Sequence, residues 1–156
     1  VGEIWVRRLE PPTDAEIAEL TAVFDAYRAH YGEVIEPSAS AAWLAGNLER
    51  GRLSAFIARI DGELAGFATT IEIPASLRLS RYWQIRDLFV VPGRRRLGVG
   101  RALLGFIRTY ATSAGASRLA VQTEDDNAAA RRLYEVGGFT LVEGYIGLVL
   151  PLTNDE

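Results

Sequence analysis

Arg94-Arg95-Arg96-Leu97-Gly98-Val99-Gly100-Arg101 sets three consecutive arginines ahead of two closely spaced glycines. These groups suit the binding of a phosphate. If a helix starts here, its first turn carries unpaired N–H groups and a partial positive charge, which together attract an anion. Gly98 and Gly100 have no Cβ, so phosphate oxygens could approach the main chain, and the arginines could add bidentate contacts. Two other phosphate motifs are excluded. The dinucleotide pattern needs a third glycine at a fixed offset, and the nucleotide P-loop needs Gly-Lys-Ser/Thr; the sequence has neither. A second group of residues lies downstream. Tyr134 follows Asn127 by two helical turns, which puts both on one face. Asn127 suits a helix N-cap, and a tyrosine hydroxyl can protonate a leaving thiolate. The structural alternatives are a tight turn bearing solvated arginines, a plain cap and a half-buried tyrosine.

These residues need elements to position them. Ile4–Leu9 reads as a strand stopped by Pro11-Pro12. Thr13 or Asp14 caps a helix running to about Tyr31, with Ile17, Leu20, Phe24, Tyr27 and Tyr31 on its apolar face. Gly32 and Pro37 break it, and a second helix spans about Ser40–Arg50. Ser54–Ile60 and Glu63–Ile73 read as strands joined by the hairpin signal Asp61-Gly62. Pro74–Ser80 is a loop and Tyr82–Val91 a strand. A helix follows over about Gly98–Ala114, with Leu103, Leu104, Ile107, Tyr110 and Ala111 inward. Arg118–Glu124 is a strand and Asn127–Val136 a helix. Phe139–Glu143 and Tyr145–Leu150 read as a closing antiparallel pair. The order predicts a mixed α/β fold with helices on both faces of one sheet.

Composition narrows the function. The 156 residues predict a single domain, 1–156. A net charge of −3 argues against a nucleic-acid partner. No apolar run reaches membrane-span length, and Val1-Gly2-Glu3 does not read as a signal peptide. The chain contains no cysteine, which removes thiolate nucleophiles and fits a cytoplasmic protein. His30 is the single histidine, so no metal site is expected.

The two segments together resemble the GNAT superfamily of N-acetyltransferases. Its signature Gln/Arg-x-x-Gly-x-Gly/Ala after the fourth strand stands here as Arg95-Arg96-Leu97-Gly98-Val99-Gly100. A looser signature, Asn-x-x-Ala-x-x-x-Tyr-x-x-x-Gly-Phe, is met by Asn127, Ala130, Tyr134, Gly138 and Phe139. The resemblance implies a mostly antiparallel mixed sheet splayed between strands four and five, and acetyl-coenzyme A as co-substrate. It implies that the amides of Arg95, Arg96, Leu97, Gly98, Val99, Gly100 and Arg101 cradle the pyrophosphate. It also implies that Leu88, Phe89 and Val90 bind the pantetheine arm through their main chain, that Asn127 contacts it, and that Tyr134 acts as general acid near the sulfur. The chemistry implied is direct attack of a neutral amine on the thioester in a ternary complex, with the oxyanion held by a main-chain N–H near Phe89 or Val90.

The nearest resemblance is to the diamine and polyamine acetyltransferases, which carry an acidic pair in the fourth strand. Asp87 keeps one carboxylate, and Arg86 stands where the other would be. Asp87 is the expected base or amine ligand, and Tyr31, Trp83, Arg86 and Glu124 are expected substrate-binding residues, with Tyr27, His30, Glu33 and Glu36 near the acceptor. Strict alternation puts Trp83, Ile85, Asp87 and Phe89 on one face and Gln84, Arg86 and Leu88 on the other, an order that a bulge would reset. The expected partner is a small-molecule amine. Acetylation of peptide N-termini and non-catalytic sensing of acetyl-coenzyme A are the alternatives. The apolar strand Tyr145–Leu150 would leave an exposed edge, from which a homodimer is expected.

Overall fold

In the computed structural model, residues 2–154 are described. They form five strands and four α-helices in the order β1 (Ile4–Arg8), α1 (Asp14–His30), α2 (Pro37–Glu49), β2 (Ser54–Ile60), β3 (Glu63–Ala75), β4 (Ser80–Val90), α3 (Val99–Ser113), β5 (Leu119–Val121) and α4 (Ala128–Val136). The strands lie side by side in sequence order. Pairing is antiparallel from β1 through β4 and parallel between β4 and β5.

Local chemistry sets most boundaries. Thr13 and Glu16 close a capping box on α1: the Glu16 amide donates to Thr13 Oγ1 at 3.1 Å and the Thr13 amide to Glu16 Oε1 at 3.0 Å. Pro37 opens α2 instead of only ending α1, because a proline at the first helical position lacks an N–H that would have no partner there. Asp61 and Gly62 both take positive φ, the requirement of a two-residue turn between twisted strands. The β3–β4 connection is shorter than expected. Both strands extend toward it, leaving a single turn at Ser76–Arg78 and a left-handed Leu79.

Alternation along the strands divides the core in two. On one face Ala55, Ile57, Phe67 and Phe89 meet Leu20 and Phe24 of α1 and Leu44 of α2. On the other, Phe56, Ala58, Ile60 and Ile85 meet Val99, Leu103, Leu104 and Ile107 of α3 and Tyr134 of α4. Helices therefore cover both faces, as the sequence predicts.

The closing antiparallel pair does not form. Past α4 the chain runs without regular structure, and Leu141, Tyr145, Leu148 and Leu150 are each at least 80% exposed. Apolar composition and β-forming residues gave this segment its strand signal. A strand also needs a partner edge, and no ladder reaches the segment within the described residues.

A buried polar knot joins α1 to α2. The Asp25 carboxylate, 3% exposed, accepts from the Ser40 hydroxyl and, at 3.1 Å, from the Arg28 guanidinium. Arg28 also donates to the Val34 carbonyl at 2.8 Å, which fixes the loop between the helices. The Ser40 hydrogen bond first, and Arg28 after it, hold the Asp25 carboxyl below the usual range. A carboxylate whose folded pKa is depressed stabilises the fold above its unfolded pKa, about 4, and loses that contribution as pH falls through the folded value. Asp25→Asn should therefore cost more stability at pH 7 than at pH 3 in urea unfolding; a penalty independent of pH would show that the ionised form contributes nothing.

Candidate active site

The β3–β4 ladder carries an irregularity on which the site is built. Thr69 faces Asp87 and Thr70 faces Ile85, so Arg86 is an extra residue bulged out of the pairing. Trp83 and Ile85, before the bulge, pack beneath α3. Beyond it Leu88 and Val90 take that face, while Asp87 and Phe89 turn toward α1. This corrects the strictly alternating order: Trp83 and Ile85 lie on the opposite side of the sheet from Asp87 and Phe89. Trp83, expected near the acceptor, accordingly lies on the α3 side and outside the lining of the cleft described below. It is 5% exposed under α3, donates its indole N–H to Glu72 at 3.3 Å and lies under the Arg8 guanidinium.

Pairing of β4 with β5 stops at Ile85 and Val121. Past that point the strands part, and a cleft of about 420 Å³ opens whose lining includes Tyr27, Tyr31, Arg86, Asp87, Glu124 and Tyr134. The main chain of β4 meets it selectively. Val91 donates to the Ala65 carbonyl at 2.9 Å, and the Phe89 carbonyl lies against Gly66, so both residues direct their peptide groups at β3. The two-residue period leaves those of Leu88 and Val90 on the open side. Arg95 Nε already donates to the Val90 carbonyl there, at 3.1 Å. Of the three β4 residues expected to offer main-chain groups, Leu88 and Val90 have theirs on the open side; those of Phe89 face β3, and its ring is buried toward α1.

Asp87 is held by two hydroxyls. Tyr27 Oη donates to one carboxylate oxygen at 2.8 Å, and Thr69 Oγ1 donates to the other. Burial first and the Asp87 charge second push the Tyr27 phenol far above its ordinary range, so it remains a donor. Thr69 lies fully buried in β3, directly opposite Asp87. The sequence reading missed Thr69 because only the register reveals the pairing; the hydroxyl pair Thr69-Thr70 inside an apolar strand was the available signal.

Tyr134 enters the cleft from α4 and is 9% exposed. Burial first, then the neighbouring Tyr31 and Glu124, raises its pKa to about 12. It is therefore fully protonated at neutral pH and has a proton to give. Asn127 caps α4 by accepting from the Ala130 amide at 3.1 Å, and its Nδ2 lies 3.4 Å from Glu124 Oε2. The Glu124 carboxyl is held below the usual range, first by its own main-chain N–H and then by Asn127. Its charge and, foremost, burial raise the Tyr31 phenol. Tyr31, Arg86, Asp87, Glu124, Asn127 and Tyr134 are thus brought together. His30, Glu33 and Glu36 are exposed, outside this lining.

The glycine turn meets β4 at its far end. Among the described residues, none of the N–H groups of residues 96–101 donates to a main-chain carbonyl. Arg96 and Gly98 take left-handed φ of 64° and 88°, which turns the chain into α3. The two glycines serve different needs. A Cβ at Gly98 would meet only Ile4, at 3.8 Å, so its φ is the constraint. A Cβ at Gly100 would lie 3.0 Å from Leu133, so that glycine lets α3 and α4 pack closely. The run of unpaired amides fits a pyrophosphate. Arg94 reaches toward Glu63 at 3.9 Å, whereas Arg96 and Arg101 form no ion pair among the described residues.

The acetyltransferase (GNAT) family model matches residues 20–139. The chain belongs to this family. An uncharacterized N-acetyltransferase, YhfO, of Bacillus subtilis is 33% identical over 132 residues, covering 85% of this chain and 89% of that one. Aminoglycoside N(6')-acetyltransferase type 1 of Salmonella typhimurium is 28% identical over 64% of this chain and 70% of its own length. The crystal structure of a probable acetyltransferase superposes with a TM-score of 0.86 at 29% identity, covering 98% of this chain and 99% of that one. This GNAT protein is an acetyl-transferring enzyme, and acetyltransferases of its family use acetyl-coenzyme A.

A Cβ in the left-handed region costs roughly 1–2 kcal/mol. Gly98→Ala should therefore lower the melting temperature by a few degrees and weaken coenzyme A binding several-fold in calorimetric titration, by shifting the start of α3. Unchanged affinity would remove the turn from the donor site.

Proposed function

We propose that this protein transfers the acetyl group of acetyl-coenzyme A to a primary amine of a small cationic molecule, by direct attack within a ternary complex. The observation that carries the proposal is the Asp87 carboxylate, fixed by Tyr27 and Thr69 where β4 and β5 part, in the cleft that Tyr134 also lines. Residues 96–101 would hold the pyrophosphate, and the open-side main chain of Leu88 and Val90, with Asn127, would hold the pantetheine arm. The co-substrate supplies the activated acetyl group. Asp87 draws the acceptor ammonium into the cleft. Moving a proton from an alkylammonium to an ordinary carboxylate is uphill by about 6.5 pK units, or about 9 kcal/mol, so a carboxylate here serves better as ligand than as sole base. Water in the open cleft completes the deprotonation. The N–H of Leu88 or Val90 faces the opening as an oxyanion donor, and Tyr134 gives its proton to the departing thiolate.

The acceptor class follows from what faces the amine. Asp87 and Glu124 supply negative charge and Tyr27 and Tyr31 aromatic walls. The Salmonella relative named for aminoglycosides gives a small polycationic acceptor precedent in the family. Asp87 retains half of the acidic pair of polyamine acetyltransferases, and Arg86, exposed at the bulge, favours an acceptor that carries an anionic or hydroxylated group beside its amine. The proposal takes the whole chain as one catalytic unit, acting in the cytoplasm, where acetyl-coenzyme A is made and consumed.

Thiol release from acetyl-coenzyme A should be measured with aminoglycosides, polyamines, amino acids and short peptides. The expected result is turnover with cationic small molecules and little with peptides; peptide turnover alone would replace this acceptor assignment. Tyr134→Phe should lower kcat about 10- to 100-fold, with coenzyme A affinity unchanged. Asp87→Asn should act chiefly on the acceptor KM, and Tyr27→Phe should give a milder form of the same effect. Equal loss of donor and acceptor binding in Asp87→Asn would mean that this carboxylate only supports the fold.

A further inference from the structure

Asp87 and Tyr27 border a second space. Besides lining the cleft, they line a recess of about 410 Å³ between α1 and α2, whose walls include Phe24, Glu36, Ala39 and Trp43. The spacing on α2 builds it. Glu36 at the N-cap, Ala39 in the first turn and Trp43 one turn later are separated by three and four residues, so they share one face of the helix. Ala39 and Ser40 are too small to fill the space between Glu36 and Trp43. Trp43 stacks on Phe24, with ring centroids 5.8 Å apart and planes 11° from parallel, yet it remains 51% exposed. Packing on Phe24 accounts for one side of the indole, and the rest stays open toward the recess.

Charge in the recess is unbalanced. The cation in its lining is Arg28. That guanidinium donates to Asp25 at 3.1 Å and to the Val34 carbonyl at 2.8 Å, and it lies 3.8 Å from Glu36. Asp25, behind Arg28 and Ser40, keeps its Oδ2 without a hydrogen-bond partner among the described residues. Asp25, Glu36 and Asp87 thus stand around a single guanidinium, and negative charge is in excess. An indole face attracts a cation through its quadrupole, and the surplus carboxylates add to that attraction. Both select an ammonium over an anion or a neutral group.

We propose that this recess binds a second ammonium group of the acceptor, with Trp43 as its aromatic platform and Glu36 as its counter-charge, while the reacting amine lies at Asp87 in the cleft. The two spaces adjoin along Tyr27 and Asp87, so a flexible molecule with one amine at Asp87 has its other end within reach of Trp43. The acceptor class narrows from a cationic small molecule to one carrying two separated amines. Trp43 and Glu36 set specificity and do not touch the reacting atoms. The inference rests on the acetyl transfer to a cationic amine proposed above, but occupancy of the recess can be read without transfer.

Butylamine, hexylamine and octylamine would be compared with 1,4-diaminobutane, 1,6-diaminohexane and 1,8-diaminooctane, by thiol release from acetyl-coenzyme A and by calorimetric titration without it. Each diamine should exceed its monoamine in kcat/KM, by a factor that grows once the chain is long enough to reach Trp43. Trp43→Leu and Glu36→Gln should each cut that factor about 3- to 10-fold, and Trp43→Phe, which keeps a ring, should cut it less. Trp43→Leu also removes the stacking on Phe24, so its melting temperature is checked. Glu36 makes no side-chain cap hydrogen bond to α2, so Glu36→Gln tests the recess even if Trp43→Leu unfolds. A diamine advantage that neither variant changes would overturn the proposal, because the second amine would then bind elsewhere. Absence of any diamine advantage overturns it as well. If no amine is turned over, the titration decides alone. Diamine binding weakened by the variants then supports the recess and removes the acetyl-transfer reading, whereas diamine binding that the variants leave unchanged removes the recess.

Discussion

The separation of β4 from β5 is the constraint on which the rest of the structure depends. A parallel pair holds only as long as both strands continue, and here β5 stops after Val121. The peptide groups of Leu88 are left facing a cavity instead of a neighbouring strand, and the Val90 carbonyl meets the Arg95 side chain. Main-chain groups with no internal partner are costly to bury and need water or a ligand. The opening is therefore a requirement for an occupant that hydrogen-bonds like a strand, set by the place where pairing ends. The Arg86 bulge acts in concert with it. One extra residue turns Asp87 to the α1 side while leaving Leu88 and Val90 on the α3 side, so adjacent residues serve opposite faces of the sheet without competing for space.

Electrostatics in the cleft follow from the same geometry. Asp87, Tyr27 and Thr69 form a closed set in which each hydroxyl has one obvious acceptor and each carboxylate oxygen one donor. Such a set resists rearrangement, because losing any member leaves a partly buried group without its partner. Tyr134 differs. Its high pKa comes mostly from burial, so its proton is retained by the low polarity around it and is not committed to a neighbour by that effect. A fixed anion and a protonated phenol thus line one cleft.

The sequence made much of this legible, and its failures have physical causes. The Asp61-Gly62 turn, the Thr13 cap and the apolar faces of α1 and α3 are local, so local chemistry revealed them. The glycine turn was legible as a strand-to-helix turn, but the separate duties of its glycines were not: Gly98 answers to its own φ and Gly100 to Leu133, more than thirty residues away. Trp83 was misplaced because the period of two was carried through a bulge that depends on β3 as much as on β4. Thr69 escaped notice for the same reason. The strand expected at Tyr145–Leu150 shows the limit most plainly, since β-forming composition states what a segment is able to pair with and leaves open where the partner lies.

The contact between Gly100 and Leu133 reaches further than the packing of two helices. Gly100 belongs to the first turn of α3, at the phosphate end, and Leu133 adjoins Tyr134 on α4. Their contact links the glycine turn to the phenol: on the proposed function, the spacing between the pyrophosphate anchor and Tyr134 would be set by how near these helices come, not by the ligand. A donor with a longer acyl chain leaves that spacing unchanged, so its extra carbons must extend toward the acceptor side. On the proposed function, tolerance for larger acyl groups would then fall to Tyr31, Arg86 and Glu124, which line the cleft, and not to the glycine turn.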